Sequence, residues 1–211
     1  MKTAMIWGAN GGIGRALLET LRIGGWNTVA FSRHEEAVQS MATHSIYSDI
    51  ADSFSVQKAV QAAAYEVTDV NLWIYSAGDI IAAPVEEMNP ETWRRIMDAN
   101  LNGAYLAAHH SMPLLASDAH LFFIGAINER LRLPGLSAYA AAKAGLEAFG
   151  EALRKEQRKR SVTVVRPVAV DTPLWSKVPM RMPKDAPPAS KLADKILSAY
   201  EEGHSGLLDL A

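Results

Sequence analysis

Gly8-Ala9-Asn10-Gly11-Gly12-Ile13-Gly14 is the stretch whose reading decides the fold. Thr3 to Trp7, just before it, is a short apolar run that reads as a buried strand. Arg15-Ala16-Leu17-Leu18-Glu19-Thr20-Leu21, just after it, has helical periodicity, and Gly24-Gly25 supplies a helix stop. The glycines therefore stand at a strand-to-helix turn. Glycine lets a chain turn tightly and lets a ligand approach the backbone. The free N–H groups at a helix start can receive a phosphate. A glycine cluster in this place predicts a dinucleotide-binding turn, although the spacing Gly8-x-x-x-Gly12-x-Gly14 differs from the more familiar G-x-G-x-x-G.

Working outward, Asn27 to Ser32 reads as a second strand. In a dinucleotide fold its end meets the adenosine ribose, where an acid favours NAD and an arginine accommodates a 2′-phosphate. Here Ser32-Arg33-His34 precedes the first carboxylates, Glu35 and Glu36, so the expectation is NADP(H) over NAD(H). Glu35 to Ala42 reads as a short helix, and Ser45 to Ile50 as a third strand carrying Asp49. A helix from Ser53 to Tyr65, capped by Asp52 or Ser53, leads to a fourth strand, Val70 to Tyr75, and a turn at Ser76-Ala77-Gly78. Asn89-Pro90-Glu91 opens another helix. A long helix from Asn100 to Ala116, a strand from His120 to Ile124, a helix from Ser137 to about Arg158 and a strand from Ser161 to Arg166 follow. Lys191 to Glu202 reads as a last helix and Gly206 to Leu210 as a short seventh strand. This alternation predicts an α/β doubly wound parallel sheet of about seven strands in a single domain over residues 1–211. Five of the ten prolines fall between Pro173 and Pro188, so residues 172–190 are expected to form an irregular lid over the ligand side of the sheet.

Composition narrows the function classes. The chain has 211 residues, a net charge of −2 and no cysteine. That excludes disulfides, thiol nucleophiles and thiolate metal sites, and gives no reason to expect a nucleic-acid or membrane partner. The six histidines lack metal-ligand spacing, so no metal site is expected. The charge run Arg154 to Arg160 reads as a solvated helix end. With no long apolar run and no leader-like N-terminus, a cytoplasmic location is expected.

Tyr139-Ala140-Ala141-Ala142-Lys143 carries the chemistry. The run is Ala-rich and helical in propensity, and residues four apart share a face. A tyrosine ordinarily titrates near ~10, and a neighbouring ammonium is expected to lower that value into a useful range for acid/base work.

Together these pieces resemble the short-chain dehydrogenase/reductase family, over nearly the whole chain. Gly8, Gly12 and Gly14 match its glycine motif, Tyr139 and Lys143 its Tyr-x-x-x-Lys, Asn100 its asparagine after the fourth strand, and Asp49 its adenine-side acid. Pro167 to Thr172 resembles its Pro-x-x-x-x-Thr segment after the sixth strand. The resemblance implies a Rossmann fold and hydride transfer between NADP(H) and a small-molecule carbonyl or alcohol. In that reading Tyr139 moves the substrate proton, Lys143 supports it and binds the nicotinamide ribose, and Asn100 continues a proton relay. The implied cofactor contacts are Gly8, Asn10, Gly11, Gly12, Ile13, Gly14, Ser32, Arg33, Asp49, Ile50, Ala77, Gly78, Tyr139, Lys143, Pro167, Val170 and Thr172. A homodimer or homotetramer, paired through the long helices, is also implied.

Departures from the pattern leave two readings. The family's catalytic serine stands thirteen residues before the tyrosine, and here that position is Ala126. Asn128, two residues on, is a candidate catalytic donor in its place, as is a backbone N–H. Trp7, Tyr75-Ser76 and Val168 also replace residues usual in the family. The first reading is an NADP(H)-dependent carbonyl reductase or alcohol dehydrogenase. The second is a non-catalytic NADP(H)-binding sensor or regulatory protein that has lost the serine.

Overall fold

Seven parallel strands form one sheet among the residues described by the computed structural model, 1–178 and 180–210. They are β1 (Thr3–Trp7), β2 (Asn27–Ser32), β3 (His44–Tyr47), β4 (Val70–Tyr75), β5 (Leu115–Ile124), β6 (Ser161–Pro167) and β7 (Gly206–Leu210). Their spatial order is β3-β2-β1-β4-β5-β6-β7. The helices are α1 (Gly12–Ile23), α2 (Ser53–Glu66), α3 (Pro90–Met97), α4 (Gly103–Ser111), α5 (Ser137–Glu156) and α6 (Ala189–Glu201). Pro179, within the expected lid, and Ala211 lie outside the described residues.

Side chains alternate across the sheet because successive strand residues point to opposite faces. Met5, Trp7, Phe31, Trp73, Tyr75, Phe123 and Val164 pack with α2, α4 and α5 on one face. Ala4, Ile6, Ala30, Leu72, Ile74, Phe122 and Val165 pack with α1 and α6 on the other. Trp7, stacked on Phe31 with centroids 4.0 Å apart, thus belongs to the core and not to the glycine turn. Covering both faces makes the strands continuously apolar, which is the doubly wound pattern.

The order reverses between β1 and β4, and the crevice of such a sheet opens at that point. Ser76 clips the two strand ends together: its N–H and its hydroxyl both donate to the Trp7 carbonyl, at 2.9 and 2.8 Å.

Several boundaries differ from the sequence reading. Glu35 to Ala42 shrinks to one 3₁₀ turn, Glu35–Val38. The third strand stops at Tyr47, so Asp49 and Ile50 lie past its end. Asp49 accepts from the Ala51 N–H at 3.1 Å, and its own N–H donates to Ser55 Oγ at 2.9 Å. The long helix expected over 100–116 is broken at both ends. Asp98–Asn102 forms a π-helical turn, and after Ser111 a 3₁₀ turn at Met112–Leu114 leads straight into β5. Pro113 cannot continue an α-helix. Arg160 takes the carbonyls of Leu115 and Ala116 at 2.8 and 2.9 Å, so the last member of the charge run clamps the start of β5.

Tyr75 explains the π turn. Its buried hydroxyl donates to the Ala99 carbonyl at 2.8 Å, beside Asn100. A Cβ on Gly103 would lie 2.6 Å from that hydroxyl, so the tyrosine and the glycine require each other. Burial raises the Tyr75 phenol well above its usual range, which keeps it a donor. Tyr75→Phe should leave the carbonyl unsatisfied and cost about 1–3 kcal/mol of stability. Urea unfolding checks this, and a midpoint equal to that of the parent would remove the hydroxyl from the account of the turn.

Candidate functional site

Gly8 sets the distance between the two strand ends at the crevice. Its φ is +78°, and a Cβ there would lie 2.4 Å from the Ala77 nitrogen. Gly14 is as constrained, since a Cβ would lie 2.4 Å from the Gly8 carbonyl oxygen. Gly12 faces outward to the cleft, where a Cβ would sit 2.9 Å from Thr172. The first N–H groups of α1 have no acceptor within the helix, and the Arg15 N–H is the first to bond back, to Gly11. No acidic side chain stands in that turn. Bare backbone donors, a positive helix end and glycines that admit no Cβ together fit a pyrophosphate.

Tyr139 and Lys143 come from one face of α5 and line the same cleft, of about 520 Å³. Asn10, Gly11, Gly12 and Ile13 line it at one end, with Ala77 and Gly78 beside them. Pro167, Val170 and Thr172 close it from the end of β6. Lys143 Nζ lies 5.6 Å from the Tyr139 ring centroid and donates to the Ile124 carbonyl at 2.8 Å. Burial pushes the Tyr139 phenol up to about 12 and the Lys143 ammonium down to about 8. The expected lowering of the tyrosine by its lysine is therefore outweighed by desolvation in this structure.

Asn100 is fully buried behind Gly78. Its amide donates to the carbonyls of Asp79 and Ile96, at 2.7 and 2.8 Å. Its Oδ1 has no partner among the described residues, and a Cβ on residue 78 would lie 2.8 Å from it.

Asn128 stands apart from these residues. Its amide is turned to Glu147 Oε2, at 2.7 Å, and it does not line the cleft. Glu147 also meets Arg166, which forks onto Asp209 at 2.5 and 2.7 Å. Asn128 is thus held in a charged network behind the β5 loop. Ala126 does line the cleft, and neither its N–H nor that of Ile127 has a hydrogen-bond partner among the described residues.

Ser32 ends β2 and Arg33 follows it, Asp49 and Ile50 stand past the end of β3, and all four lie outside the cleft wall. Ser32 Oγ accepts from the His34 N–H at 3.0 Å, while Arg33 is exposed with no ion pair among the described residues. Arg15 lies nearby, bonded to Asn10 Oδ1 at 2.6 Å and to the Ala37 carbonyl at 3.2 Å.

Sequence reasoning missed Asp79. This buried carboxylate accepts from Arg95 of α3 at 2.7 and 2.6 Å and from Lys177 of the lid at 2.6 Å. It also receives the Ile80 N–H at 3.0 Å. The lid's 3₁₀ turn, Pro173–Lys177, is so tied to α3 across the cleft mouth, and Leu174, Val178 and Met180 pack on Ile80, Leu136 and Tyr139. Trp175 adds a bond from its indole N–H to the Val170 carbonyl at 2.9 Å. The one signal in the sequence was a lysine close behind Leu174 and Trp175 in the Pro-rich stretch.

A parallel sheet ending in a glycine turn beside a buried Tyr–Lys pair is the architecture of a dinucleotide-binding dehydrogenase. The family described as short chain dehydrogenase matches residues 2–182, and the chain belongs to it, as an oxidoreductase. The 3-oxoacyl-acyl-carrier-protein reductase of Escherichia coli K12 is 27% identical over 181 residues, 81% of this chain and 74% of that protein. The 3beta-hydroxysteroid dehydrogenase 1 of Eggerthella lenta is 25% identical over 188 residues, covering 82% and 72%. The solved 3-ketoacyl-(acyl-carrier-protein) reductase of Brucella melitensis, complexed with NADH, superposes with a TM-score of 0.88 at 22% identity, covering 99% and 96%. No described helix is long and apolar enough to cross a membrane.

The Asp79 triad has a pH consequence. Burial alone would raise this carboxyl, but the hydrogen bonds and charges of Lys177 and Arg95 outweigh it and hold it below the usual carboxylate range. A depressed carboxylate contributes its stability above the unfolded value, near ~4, and loses it as pH falls through the folded one. Acidification and Asp79→Asn should both loosen the Pro173–Lys177 turn and speed amide exchange of residues 174–177 several-fold. Unchanged exchange in the variant would show that apolar packing alone holds the segment.

Proposed function

We propose that the protein is an NADP(H)-dependent oxidoreductase that interconverts an apolar carbonyl compound and its alcohol, with Tyr139 as acid/base. The observation that carries this reading is the placement of Tyr139 and Lys143 on the cleft that runs to the glycine turn. A bound nicotinamide supplies the hydride, and the chain supplies position and the proton. In reduction the Tyr139 hydroxyl donates its proton to the carbonyl oxygen. Lys143, charged below about pH 8, stabilises the phenolate left behind. Asn100, buried behind Gly78, continues the relay. The free N–H groups of Ala126 and Ile127 are the donors available to the carbonyl oxygen where a serine hydroxyl is absent.

Relatives named for 3-oxoacyl and 3β-hydroxysteroid compounds support carbonyl–alcohol chemistry. Ile80, Leu136, Leu174 and Met180 support an apolar substrate body. Exposed Arg33, with no carboxylate at the end of β2, supports a 2′-phosphate and so NADP(H).

Fluorescence titration with NADPH and NADH, followed by turnover of a carbonyl panel, tests this reading. NADPH should bind more tightly, and Arg33→Ala should weaken NADPH about tenfold or more with little effect on NADH. Tyr139→Phe should abolish turnover with NADPH affinity nearly intact. Turnover surviving in that variant overturns the assignment of the acid.

The reading also includes a homodimer or homotetramer. Tyr105, 49% exposed, lies against His109 of the same helix and Phe149 of α5, so an aromatic face stands on the outside of α4 and α5. Light scattering should give a multiple of 22.9 kDa, and a monomer would remove this part of the proposal.

A further inference from the structure

A second cavity, of about 510 Å³, lies beside the cleft at the β6–β7 edge of the sheet, opposite the side of Arg33. The two share walls: Arg130, the Pro167–Val170 strand end and Pro183 line both. The second cavity also carries Lys191 and Lys195 of α6, against a single acid, Asp185. Three cations and one acid leave a local excess of positive charge, in a chain whose net charge is −2. None of the three cations has an ion-pair or hydrogen-bond partner for its side chain among the described residues. The other two cations on the cleft wall are committed, Lys177 to Asp79 and Lys143 to the Ile124 carbonyl. Arg130, at the junction, is the one left to meet an anion among the described residues.

We propose that this cavity is an anion subsite of the substrate site. It receives a carboxylate or phosphate borne by the far end of the substrate, whose apolar body crosses the cleft and whose carbonyl lies at Tyr139. The inference rests on the oxidoreductase reading above and narrows its substrate class to anionic amphiphiles. A concave wall of one charge focuses its field on a ligand. The planar guanidinium of Arg130 presents paired donors to carboxylate or phosphate, and Lys191 and Lys195 add point charges. The cofactor does not need this site, since its phosphates have the glycine turn and Arg33 on the other side of the crevice.

Decanoate and methyl decanoate are the probes, titrated into the NADPH-treated protein with Trp175 fluorescence or calorimetry as readout. Decanoate should bind about tenfold or more tightly than the ester. Arg130→Ala, and separately the pair Lys191→Ala and Lys195→Ala, should bring the ratio toward one, while Arg130→Lys keeps much of it. A melting curve of each variant confirms folding. Inorganic phosphate should compete with decanoate and not with the ester. Equal affinities in the parent protein, or a ratio that survives both sets of substitutions, overturns the proposal. Phosphate that binds without displacing decanoate also overturns it, showing a site for a free anion only. Failure of NADPH to bind in the same samples would sink the oxidoreductase reading, while the acid-to-ester ratio would still report on the cavity.

Discussion

The closeness of two strand ends governs this molecule. The sheet reverses order between β1 and β4, so Gly8 and Ala77 stand side by side with no room for a Cβ between them. Everything that receives a ligand is measured from that contact. Ser76 fastens it by bonding twice to the Trp7 carbonyl. Gly14 packs α1 onto it, which aims the free N–H groups of the helix into the crevice. Gly78 follows at once and leaves space for Asn100 Oδ1 beneath it, with Lys143 Nζ within 3.8 Å of where a Cβ would be. A side chain larger than hydrogen at residue 8 would part the strands and displace the start of α1, Asn100 and Lys143 together.

The π turn at Asp98–Asn102 extends the same logic to the far wall. An extra residue in a helical turn frees carbonyls that a regular helix would occupy. Tyr75 takes the one at Ala99, so the fourth strand dictates where the turn sits and hence where Asn100 points. The Tyr–Lys pair is drier than its sequence suggested. Desolvation moves both groups toward their neutral forms, up to about 12 for the phenol and down to about 8 for the ammonium. In the proposed reaction such a phenol gives up its proton only where a nearby cation offsets the charge left behind, and Lys143 Nζ lies 5.6 Å from the Tyr139 ring centroid.

Much of the fold was legible in the sequence, for one physical reason. Strands covered on both faces are short, largely apolar runs, and β1, β2 and β4 coincide with such runs residue for residue. Where tertiary contacts override local propensity, the reading went astray. Helical character through Ala116 was plausible until Arg160 claimed the carbonyls of Leu115 and Ala116 for the start of β5. In the site, Tyr139, Lys143 and the glycines were legible because their spacing alone fixes a shared face or a turn. Asp79 was not: its partners are 16 and 98 residues away, and no local pattern links them. Arg130, Lys191 and Lys195 were opaque for the same reason, since only the approach of α6 to the β5 loop gathers them.

Asn128 is kept off the cleft wall by its bond to Glu147. To reach the cleft, its amide would leave Glu147, whose carboxylate is only partly exposed and holds the Arg166 that clamps β7 through Asp209. A charge-assisted hydrogen bond of that kind contributes more than a neutral one, and breaking it would leave Asn128 Oδ1, already without a partner, and a half-buried carboxylate to be satisfied anew. Nothing in the cleft offers a compensating contact on that scale. The loop is therefore held in place by its polar outer side while Ala126 presents only methyl and backbone to the substrate. Such a wall is rigid, and preorganised backbone N–H groups can stabilise developing negative charge without a side-chain hydroxyl. Ala126 and the locked Asn128 are then parts of one arrangement: position 126 offers no hydroxyl, and its loop is pinned where its N–H groups remain free.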